Sequence, residues 1–208
     1  MPRILNGMST ADAIREAAAE LFHKHGYEAT SLRQVAAEVG IQVGSLYNHI
    51  SGKEMLLRWI MVGIMEDLLA AQQAALEGYT DAVDQLRAIV DVHVRFHAAR
   101  ARDVFIGNSE LRALSPEYRA EVVRLRDQYE AGLREVVERV AAEGRADVLD
   151  VQLQVYAIIA MGTHVASWYR PDGGKSLDDI VETYVEMVFR QLAITPRGRR
   201  RAKPASKA

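Results

Sequence analysis

The stretch TSLRQVAAEVGIQVGSLYNHISGK, residues 30–53, decides the fold of this chain. Ser31 and Gln34 have the spacing of a capping box, in which two side chains satisfy backbone groups at the start of a helix. Apolar residues then recur at helical spacing as far as Gly40, where a positive φ can end the helix. A second helix of about two turns is expected over residues 43–50. Two helices joined by such a tight turn predict a helix-turn-helix.

The second helix is expected to have an unusually polar surface. Only Leu46 and Ile50 clearly face inward, and a helix that merely faces solvent would be richer in Lys and Glu. Gly44 costs up to ~1 kcal/mol in a helix interior, which favours close approach by an external partner such as a phosphate strand. The other positions carry hydrogen-bonding side chains, namely Gln42, Ser45, Tyr47, Asn48 and His49. This surface favours binding in a DNA groove over the alternative, a small helical corner with a polar exterior.

The next helix is expected to begin directly behind this motif. Ser51 and Glu54 have capping-box spacing, which places Lys53 in the first turn of the helix. A cation is unfavourable there because the N-terminus of a helix carries a partial positive charge. We therefore expect Lys53 to have an anionic partner outside the chain.

The motif also carries a family resemblance. The run GYEATSLRQVAAEVGIQVGSLYNHISGKEML, residues 26–56, resembles the DNA-binding domain of the TetR family of bacterial one-component regulators. The resemblance is specific over residues 9–58 and architectural elsewhere, and Ile50 stands where the family usually has Phe. Its family-type residues are Gly26, Tyr27, Thr30, Ser31, Val35, Ala36, Gly40, Gly44, Leu46, Tyr47, His49, Lys53 and Glu54. It implies a dimer that binds a palindromic operator in double-stranded DNA.

We expect two kinds of DNA contact from this region. Some side chains should mainly bind phosphates, and those of the second helix should lie nearest to base edges. The phosphate-binding group is Thr30, Ser31, Tyr47 and Lys53, and the base-reading group is Gln42, Ser45, Asn48 and His49. Arg33, Val43 and Gly44 complete the expected DNA-binding surface.

Composition excludes several classes of protein. The chain has 208 residues, of which 49% are hydrophobic, as is ordinary for a soluble globular protein. It contains no cysteine, which excludes disulfides, thiolate catalysis and cysteine-based zinc sites. No apolar run is long enough for a membrane helix, and the first ten residues lack the apolar core of a signal peptide. We expect a cytoplasmic protein without a membrane partner.

Charge is distributed unevenly along the chain. The net charge is −2, yet residues 195–208 contain six basic side chains and no acidic one, which leaves −8 on residues 1–194. The first 55 residues are nearly neutral, with five basic and six acidic side chains. Affinity for DNA must therefore come from local placement of groups and not from the field of the whole molecule.

Helical periodicity covers nearly the whole chain, and no alternating strand pattern occurs. We expect an all-α fold of about nine helices. The predicted N-terminal three-helix DNA-binding domain spans residues 1–51, and a helical effector-binding and dimerisation domain spans residues 52–194. A long helix over residues 52–77 should connect the two. Residues 195–208 are expected to form a disordered basic tail.

The last two helices are expected to form a dimer interface. A stripe of apolar residues runs along the final helix, and the preceding helix is apolar on nearly all sides. Such a helix must be buried on all sides, either within one subunit or by a second one. The family resemblance implies a four-helix bundle between two chains. The expected interface residues are Leu153, Ala157, Ala160, Leu177, Val181, Tyr184, Val185, Val188 and Phe189.

The helices between residues 55 and 169 are expected to enclose an effector pocket. They carry more methionine and aromatic residues than a simple bundle requires, although the same residues could merely fill a core. The resemblance favours a pocket, because TetR regulators generally bind an inducer here. The expected lining residues are Met61, Met65, Phe96, Phe105, Arg112, Tyr129, Tyr156, His164 and Trp168.

The resemblance also suggests the class of effector. GNSELRAL, YRAEVVRLRDQYE and WYRPDGGKSL are similar to segments of TetR regulators of fatty-acid or steroid breakdown, which respond to acyl-CoA thioesters. Candidate side chains for the CoA phosphates are Arg95, Arg112, Arg119, Arg124 and Arg126. The alternative is a drug- or metabolite-responsive repressor of an efflux or catabolic gene.

Enzymatic function is the weaker hypothesis. His93 and His97 lie four residues apart on one helix, but no glutamate of a HExxH motif or other obvious ligand accompanies them. We expect them to line a cavity as partly buried polar groups. No GxSxG, Walker or dinucleotide-binding motif occurs. We predict no catalytic residue, metal site or cofactor, and keep a small helical enzyme or an adaptor as distant alternatives.

Overall fold

The computed structural model describes residues 8–194, and this part of the chain consists of helices and connecting loops. The predicted all-α fold is confirmed. The predicted disordered tail, residues 195–208, lies outside the described residues. The helices are α1 (Thr10–His25), α2 (Leu32–Val39), α3 (Val43–Leu46), α4 (Lys53–Glu77), α5 (Ala82–Ala99), α6 (Ala101–Ser109), α7 (Pro116–Ala142), α8 (Val151–Thr163), α9 (Val165–Trp168) and α10 (Leu177–Gln191), with a 3-10 helix, Leu111–Ala113, before α7.

Helices α8 and α9 replace the single apolar helix that the sequence predicts before the final helix. The α-helix is interrupted at His164, whose carbonyl oxygen accepts a hydrogen bond of 2.8 Å from the hydroxyl of Ser167. A side-chain hydrogen bond of this kind competes with the regular helical pattern. Counted as one interrupted helix, they bring the α-helices of residues 8–194 to nine.

The apolar core has two parts. The first joins α1–α3 to the first half of α4 and includes Phe22, Leu46 and Leu57, all almost completely buried. Ile106 of α6 and Leu125 of α7 belong to the same cluster, so the helix-turn-helix end packs directly against the rest of the chain. The second part is formed by α5, the later half of α7 and α8–α10. The boundary at residues 51 and 52 therefore stays a prediction.

Helix α4 spans both parts of the core. Its 25 residues correspond to ~37 Å at 1.5 Å per residue. Leu57 near its start is buried with the helix-turn-helix, whereas Leu68 and Gln72 in its second half are buried against the body of the molecule. Gln72 donates a hydrogen bond of 3.1 Å to the carbonyl oxygen of Tyr129 on α7. A single helix thus joins the helix-turn-helix to the body of the molecule.

Helix α10 corrects part of the predicted dimer interface. Val181, Val185, Val188 and Phe189 are all less than a tenth exposed, and α10 packs against α5 within its own chain. A side chain that its own subunit already covers has no surface left for a partner. These four residues are therefore core residues and not interface residues. The periodicity had identified a stripe that must be buried, but it could not show which surface covers it.

Candidate recognition helix and effector cavity

The turn between α2 and α3 has the geometry that the sequence predicts. The Ser31 hydroxyl accepts a hydrogen bond of 3.3 Å from the backbone N–H of Gln34, and Gln34 Oε1 accepts one of 2.7 Å from the N–H of Ser31. Gly40 ends α2 with φ 82° and ψ 28°, the left-handed conformation that favours glycine. The capping box and the glycine turn are both confirmed.

Helix α3 is shorter than predicted. Only Val43–Leu46 is α-helical, and residues 47–49 continue as tighter turns in which the N–H of His49 bonds to the carbonyl of Leu46 at 3.0 Å. The polar residues of this segment are weak helix formers, and Gly44 weakens the helix further. The backbone N–H groups of His49 and Ile50 both bond to the carbonyl of Leu46, so helical turns continue from residue 43 to residue 50.

The exposed face of this segment carries most of the residues expected to bind DNA. Tyr47 is 55% exposed, and Leu46 and Ile50 are buried beneath it. A Cβ atom added at Gly44 would meet no atom of residues 8–194 within 4 Å, so packing within this range does not require the glycine. The other exposed members of the expected set are Gln42, Ser45, Asn48 and Arg33, while Val43 and His49 are half-buried.

Thr30 has a structural role that the sequence did not indicate. Its side chain is only 2% exposed, and its hydroxyl lies 2.9 Å from the carbonyl oxygen of Gly26 and 3.3 Å from that of Leu21. The hydroxyl donates to these carbonyls and fixes the end of α1 against the start of α2. Thr30 is therefore not a phosphate ligand, because its polar atom is inside the molecule. Ser31 stays exposed beside it.

Lys53 finds its partners within the chain. Its ammonium group donates to the carbonyl oxygen of Tyr27 at 2.9 Å and to that of Glu28 at 3.3 Å, and it lies 4.2 Å from the centre of the Tyr27 ring. The predicted external anion is thus not needed to explain this cation. Any phosphate contact by Lys53 would be additional to these bonds.

The predicted capping box at Ser51 and Glu54 does not form. Helix α4 begins after Gly52 without a side-chain cap, and Glu54 instead accepts a hydrogen bond of 2.5 Å from the backbone N–H of Ser115. These bonds to Ser115 hold the pKa of Glu54 below its usual value. A hydrogen bond between residues 61 positions apart therefore replaces the expected capping bond and connects α4 to the start of α7.

A cavity of about 760 Å³ lies among α4–α9. Its wall is mainly apolar, as expected for a small-molecule site. Six of the predicted lining residues are in the wall, namely Met65, Phe96, Phe105, Tyr129, Tyr156 and His164.

Three predicted pocket residues lie elsewhere. Met61 is buried in the first part of the core, on the side of α4 that faces the helix-turn-helix. Arg112 is exposed on the 3-10 helix. Trp168 is 44% exposed at the end of α9. None of the three contributes to the cavity wall. The prediction was wrong for them because helical spacing alone does not determine which neighbour a side chain meets.

The sequence predicted only part of the polar lining of the pocket. His93 and His97 line it, as the sequence had suggested in general terms for this pair, and Thr163 joins them. Burial lowers the pKa of His93 from 6.5 to about 3, with a further contribution from neighbouring His97. Burial also lowers the pKa of His97. Both imidazoles are therefore neutral near pH 7.

Arg126 is the one member of the predicted arginine set that lines the cavity. It is partly buried, and it donates a hydrogen bond of 2.8 Å to the carbonyl oxygen of Gly107. Burial lowers its pKa, although a guanidinium stays charged at any physiological pH. By contrast, Arg95 is paired with Asp91 at 2.9 Å and with Asp178 at 2.6 Å.

Helix α6 connects the cavity wall to the helix-turn-helix end. Phe105 lines the cavity and also contacts His23 of α1, with ring centres 5.3 Å apart. On the same helix, Arg102 forms a two-pronged ion pair with Glu16 of α1, at 2.6 and 2.9 Å. This contact with Arg102 lowers the pKa of Glu16. A shift of α6 would therefore act directly on α1.

The remaining predicted interface residues differ in exposure. Leu153 is 64% exposed, and Ala157 and Ala160 are exposed on the same face of α8. Leu177 and Tyr184 are half-buried against the second part of the core. Helix α8 therefore keeps an apolar face that residues 8–194 do not cover.

Two further kinds of site can be assessed for residues 8–194. No group of three or more His, Asp or Glu side chains in this range is arranged to hold a metal ion. No helix in the same range has both the length and the apolar character that crossing a bilayer requires.

Comparison with known proteins agrees with this geometry. Residues 14–60 match the family model described as bacterial regulatory proteins of the tetR family, and residues 79–192 match a tetracyclin repressor-like C-terminal domain. The HTH-type transcriptional repressor KstR2 of Mycolicibacterium smegmatis is 28% identical over 184 residues, which are 87% of this chain and 89% of KstR2.

Solved structures show the same likeness. A bacterial regulatory protein in the tetR family from Rhodococcus RHA1 is 31% identical, with a TM-score of 0.85 over 91% of this chain and 100% of the other. The structure of AibR in complex with isovaleryl coenzyme A and operator DNA is 26% identical, with a TM-score of 0.79 over 90% of this chain and 100% of AibR.

Proposed function

The chain belongs to the TetR family of bacterial regulatory proteins, and we propose that it is a ligand-responsive transcriptional repressor. It binds a palindromic operator as a homodimer and releases it when a small effector fills the cavity. The observation that carries this proposal is the physical link between the two sites. The cavity wall on α6 is ion-paired to α1, and α1 packs against the helix-turn-helix.

The DNA-binding surface is the exposed face of residues 42–49. Gln42, Ser45 and Asn48 project polar groups from it, and Tyr47 is well placed to reach a phosphate. Gly44 allows the sugar-phosphate backbone to approach closely, since no atom of the described part of the chain, residues 8–194, lies within 4 Å of where its Cβ would be. Ser31 and Arg33 flank this face at the start of α2.

The dimer forms through the open face of α8. Leu153, Ala157 and Ala160 follow one another at helical spacing and leave apolar surface that a second subunit would cover. Met187 on α10 is also exposed. A two-fold interface of this kind matches the symmetry of a palindromic operator.

The effector is an acyl-CoA thioester from lipid or steroid breakdown. A mainly apolar cavity of about 760 Å³ can hold the acyl group, and Arg126 offers unused N–H donors to an anionic group. The structure of the relative AibR with isovaleryl coenzyme A and operator DNA supports the same class. The alternative effector is a drug or another metabolite.

Release follows if the effector prefers a second position of α6. A ligand shifts a conformational equilibrium only by its difference in affinity for the two states. Movement of Phe105 at the cavity wall would pull on Arg102 and hence on α1, which changes the spacing of the two recognition helices in the dimer. Such a regulator works in the cytoplasm beside its operator and has no catalytic role, as its relatives are transcriptional regulators.

A DNA-release titration tests the proposal. The protein is bound to a fluorescent fragment of the promoter next to its own gene, and CoA thioesters of increasing chain length, the matching free acids and drug-like cations are added. We expect release by at least one CoA thioester and none by its free acid at the same concentration. Absence of DNA binding would refute the proposed repressor function. Release of the DNA by cations alone would refute the proposal that the effector is an acyl-CoA.

A further inference from the structure

The polar end of the cavity contains a chain of hydrogen bonds that begins at His97. Nδ1 of His97 lies 2.8 Å from the carbonyl oxygen of His93. A carbonyl can only accept, so Nδ1 carries the proton of this neutral ring and Nε2 accepts. Thr163 Oγ1 lies 3.3 Å from that Nε2, and its hydroxyl therefore donates to it.

The same reasoning fixes the proton of His93. Its Nε2 lies 3.2 Å from the carbonyl oxygen of Ile159 and 3.3 Å from Thr163 Oγ1. The opposite tautomer would direct the lone pair of Nε2 at the carbonyl oxygen, which is repulsive, so Nε2 carries the proton. Nδ1 then accepts from the hydroxyl of Tyr129 at 2.7 Å. Burial favours these neutral rings, because it disfavours the charged imidazolium.

This arrangement leaves acceptors but no donor on the network. The protons of Tyr129, His93, Thr163 and His97 are each committed to a neighbour within the chain. The phenolic oxygen of Tyr129 retains a free lone pair after donating its proton. Tyr129 lines the cavity and is almost completely buried from solvent, so a hydrogen-bond donor on a bound ligand is the group that this lone pair can accept from.

We propose that Tyr129 selects effectors that carry a hydroxyl or another hydrogen-bond donor on the part buried in the cavity. A ketone or ether oxygen in the same position would meet the Tyr129 oxygen with a second lone pair and lose affinity. This inference rests on the proposed function, since it treats the cavity as the effector site. A CoA thioester with a hydroxylated acyl chain would meet both requirements, that of the proposed acyl-CoA effector and that of a donor for Tyr129.

Direct binding of two matched probes tests the selection. 2-Octanol and 2-octanone have the same skeleton and differ in the donor, and each is titrated into the full-length protein by calorimetry without DNA. We expect the alcohol to bind about three- to tenfold more tightly, the range of one net hydrogen bond. Tyr129→Phe should remove the preference. Tyr118→Phe, on the same helix but outside the cavity wall, should keep it.

The outcomes separate clearly. Equal binding, a preference for the ketone, or a preference that persists in Tyr129→Phe would overturn the inference, as would failure of both probes to bind. If Tyr129→Phe does not fold, nitrogen NMR of ¹⁵N-histidine-labelled wild-type protein decides. We expect His93 protonated at Nε2 and His97 at Nδ1, and a proton on Nδ1 of His93 would overturn the inference. Neither measurement involves DNA, so the failure of this selection and of the repressor function are distinguishable.

Discussion

Replacement of Gly162 by alanine should disrupt the polar end of the cavity. A Cβ atom at this position would lie 2.3 Å from Cδ2 and 2.9 Å from Nε2 of His93, well inside van der Waals contact. His93 cannot simply move away, because Tyr129 and the carbonyl of Ile159 hold its two ring nitrogens. We therefore expect the backbone of α8 to be strained and the buried hydrogen bonds of His93 to weaken.

The magnitude follows from three contributions. Overpacking of a buried site costs about 1–3 kcal/mol, and a buried polar group left without its partner costs about 1–3 kcal/mol. Alanine returns about 1 kcal/mol through its better helix propensity. The free energy of unfolding should therefore fall by about 1–5 kcal/mol. For a domain of this size, about 3 kcal/mol corresponds to a Tm lower by about 6–12 °C.

The matched control is Gly63→Ala in the middle of α4. There the new Cβ meets only the flexible end of Arg15, at 3.1 Å, so the propensity gain should dominate and leave Tm unchanged or slightly higher. Thermal denaturation followed by circular dichroism measures both variants. In the double variant Gly162→Ala/His93→Ala the clash is gone, so it should be no less stable than His93→Ala alone. Additive losses in that cycle would refute the packing explanation.

Other perturbations test the remaining contacts. Tyr47→Ala should weaken binding to the operator and to unrelated DNA by a similar factor, about tenfold, in fluorescence anisotropy titrations. Tyr79→Ala, in the exposed α4–α5 loop, should leave both affinities unchanged. A loss of affinity for only one of the two DNAs would contradict a phosphate contact by Tyr47. Arg102→Gln removes the ion pair to Glu16. It should leave the affinity for the effector, measured by calorimetry, unchanged and raise the effector concentration needed for DNA release. Identical release curves for the variant and the wild type would exclude the ion pair between α6 and α1 as the link. Because burial lowers the pKa of His93 from 6.5 to about 3, the stability it contributes is complete above pH 6.5 and declines as pH falls toward 3. Urea denaturation should show about 1.4 kcal/mol lost per pH unit between pH 6 and 4, a slope that should be smaller in His93→Gln. Deletion of residues 195–208 should reduce the salt dependence of DNA binding without lowering Tm, and a lower Tm would show that the segment packs on the body.

The sequence predicted the helix-turn-helix well because its signals are local. The capping box at Ser31 and Gln34 and the left-handed turn at Gly40 each depend on residues a few positions apart. The length of α3 was overestimated, since Val43–Leu46 ends where weak helix formers begin. Capping at Ser51 and Glu54 was wrong for a different reason: a distant backbone N–H, that of Ser115, competes for the same carboxylate.

The pocket and interface were predicted less completely. Hydrophobic periodicity showed that one side of α10 must be buried, but Val181 and Val188 are covered by their own chain and Leu153 on α8 is not. Composition indicated that methionine and aromatic residues would line a cavity. Met65 does line it, whereas Met61, one turn earlier on α4, is buried in the first part of the core. Which face of a helix meets which neighbour is not encoded in spacing.

The sequence by itself determined the all-α class, the helix-turn-helix and the polar face of residues 42–49, because helix propensity, caps and glycine turns act between near neighbours. Only the tertiary structure decided that Thr30 is buried, that Lys53 binds two carbonyl oxygens of its own chain, and that His93 is joined to Tyr129 across 36 residues. Those contacts depend on how helices far apart in the chain pack together, and packing satisfies buried polar groups with whichever partner lies within reach.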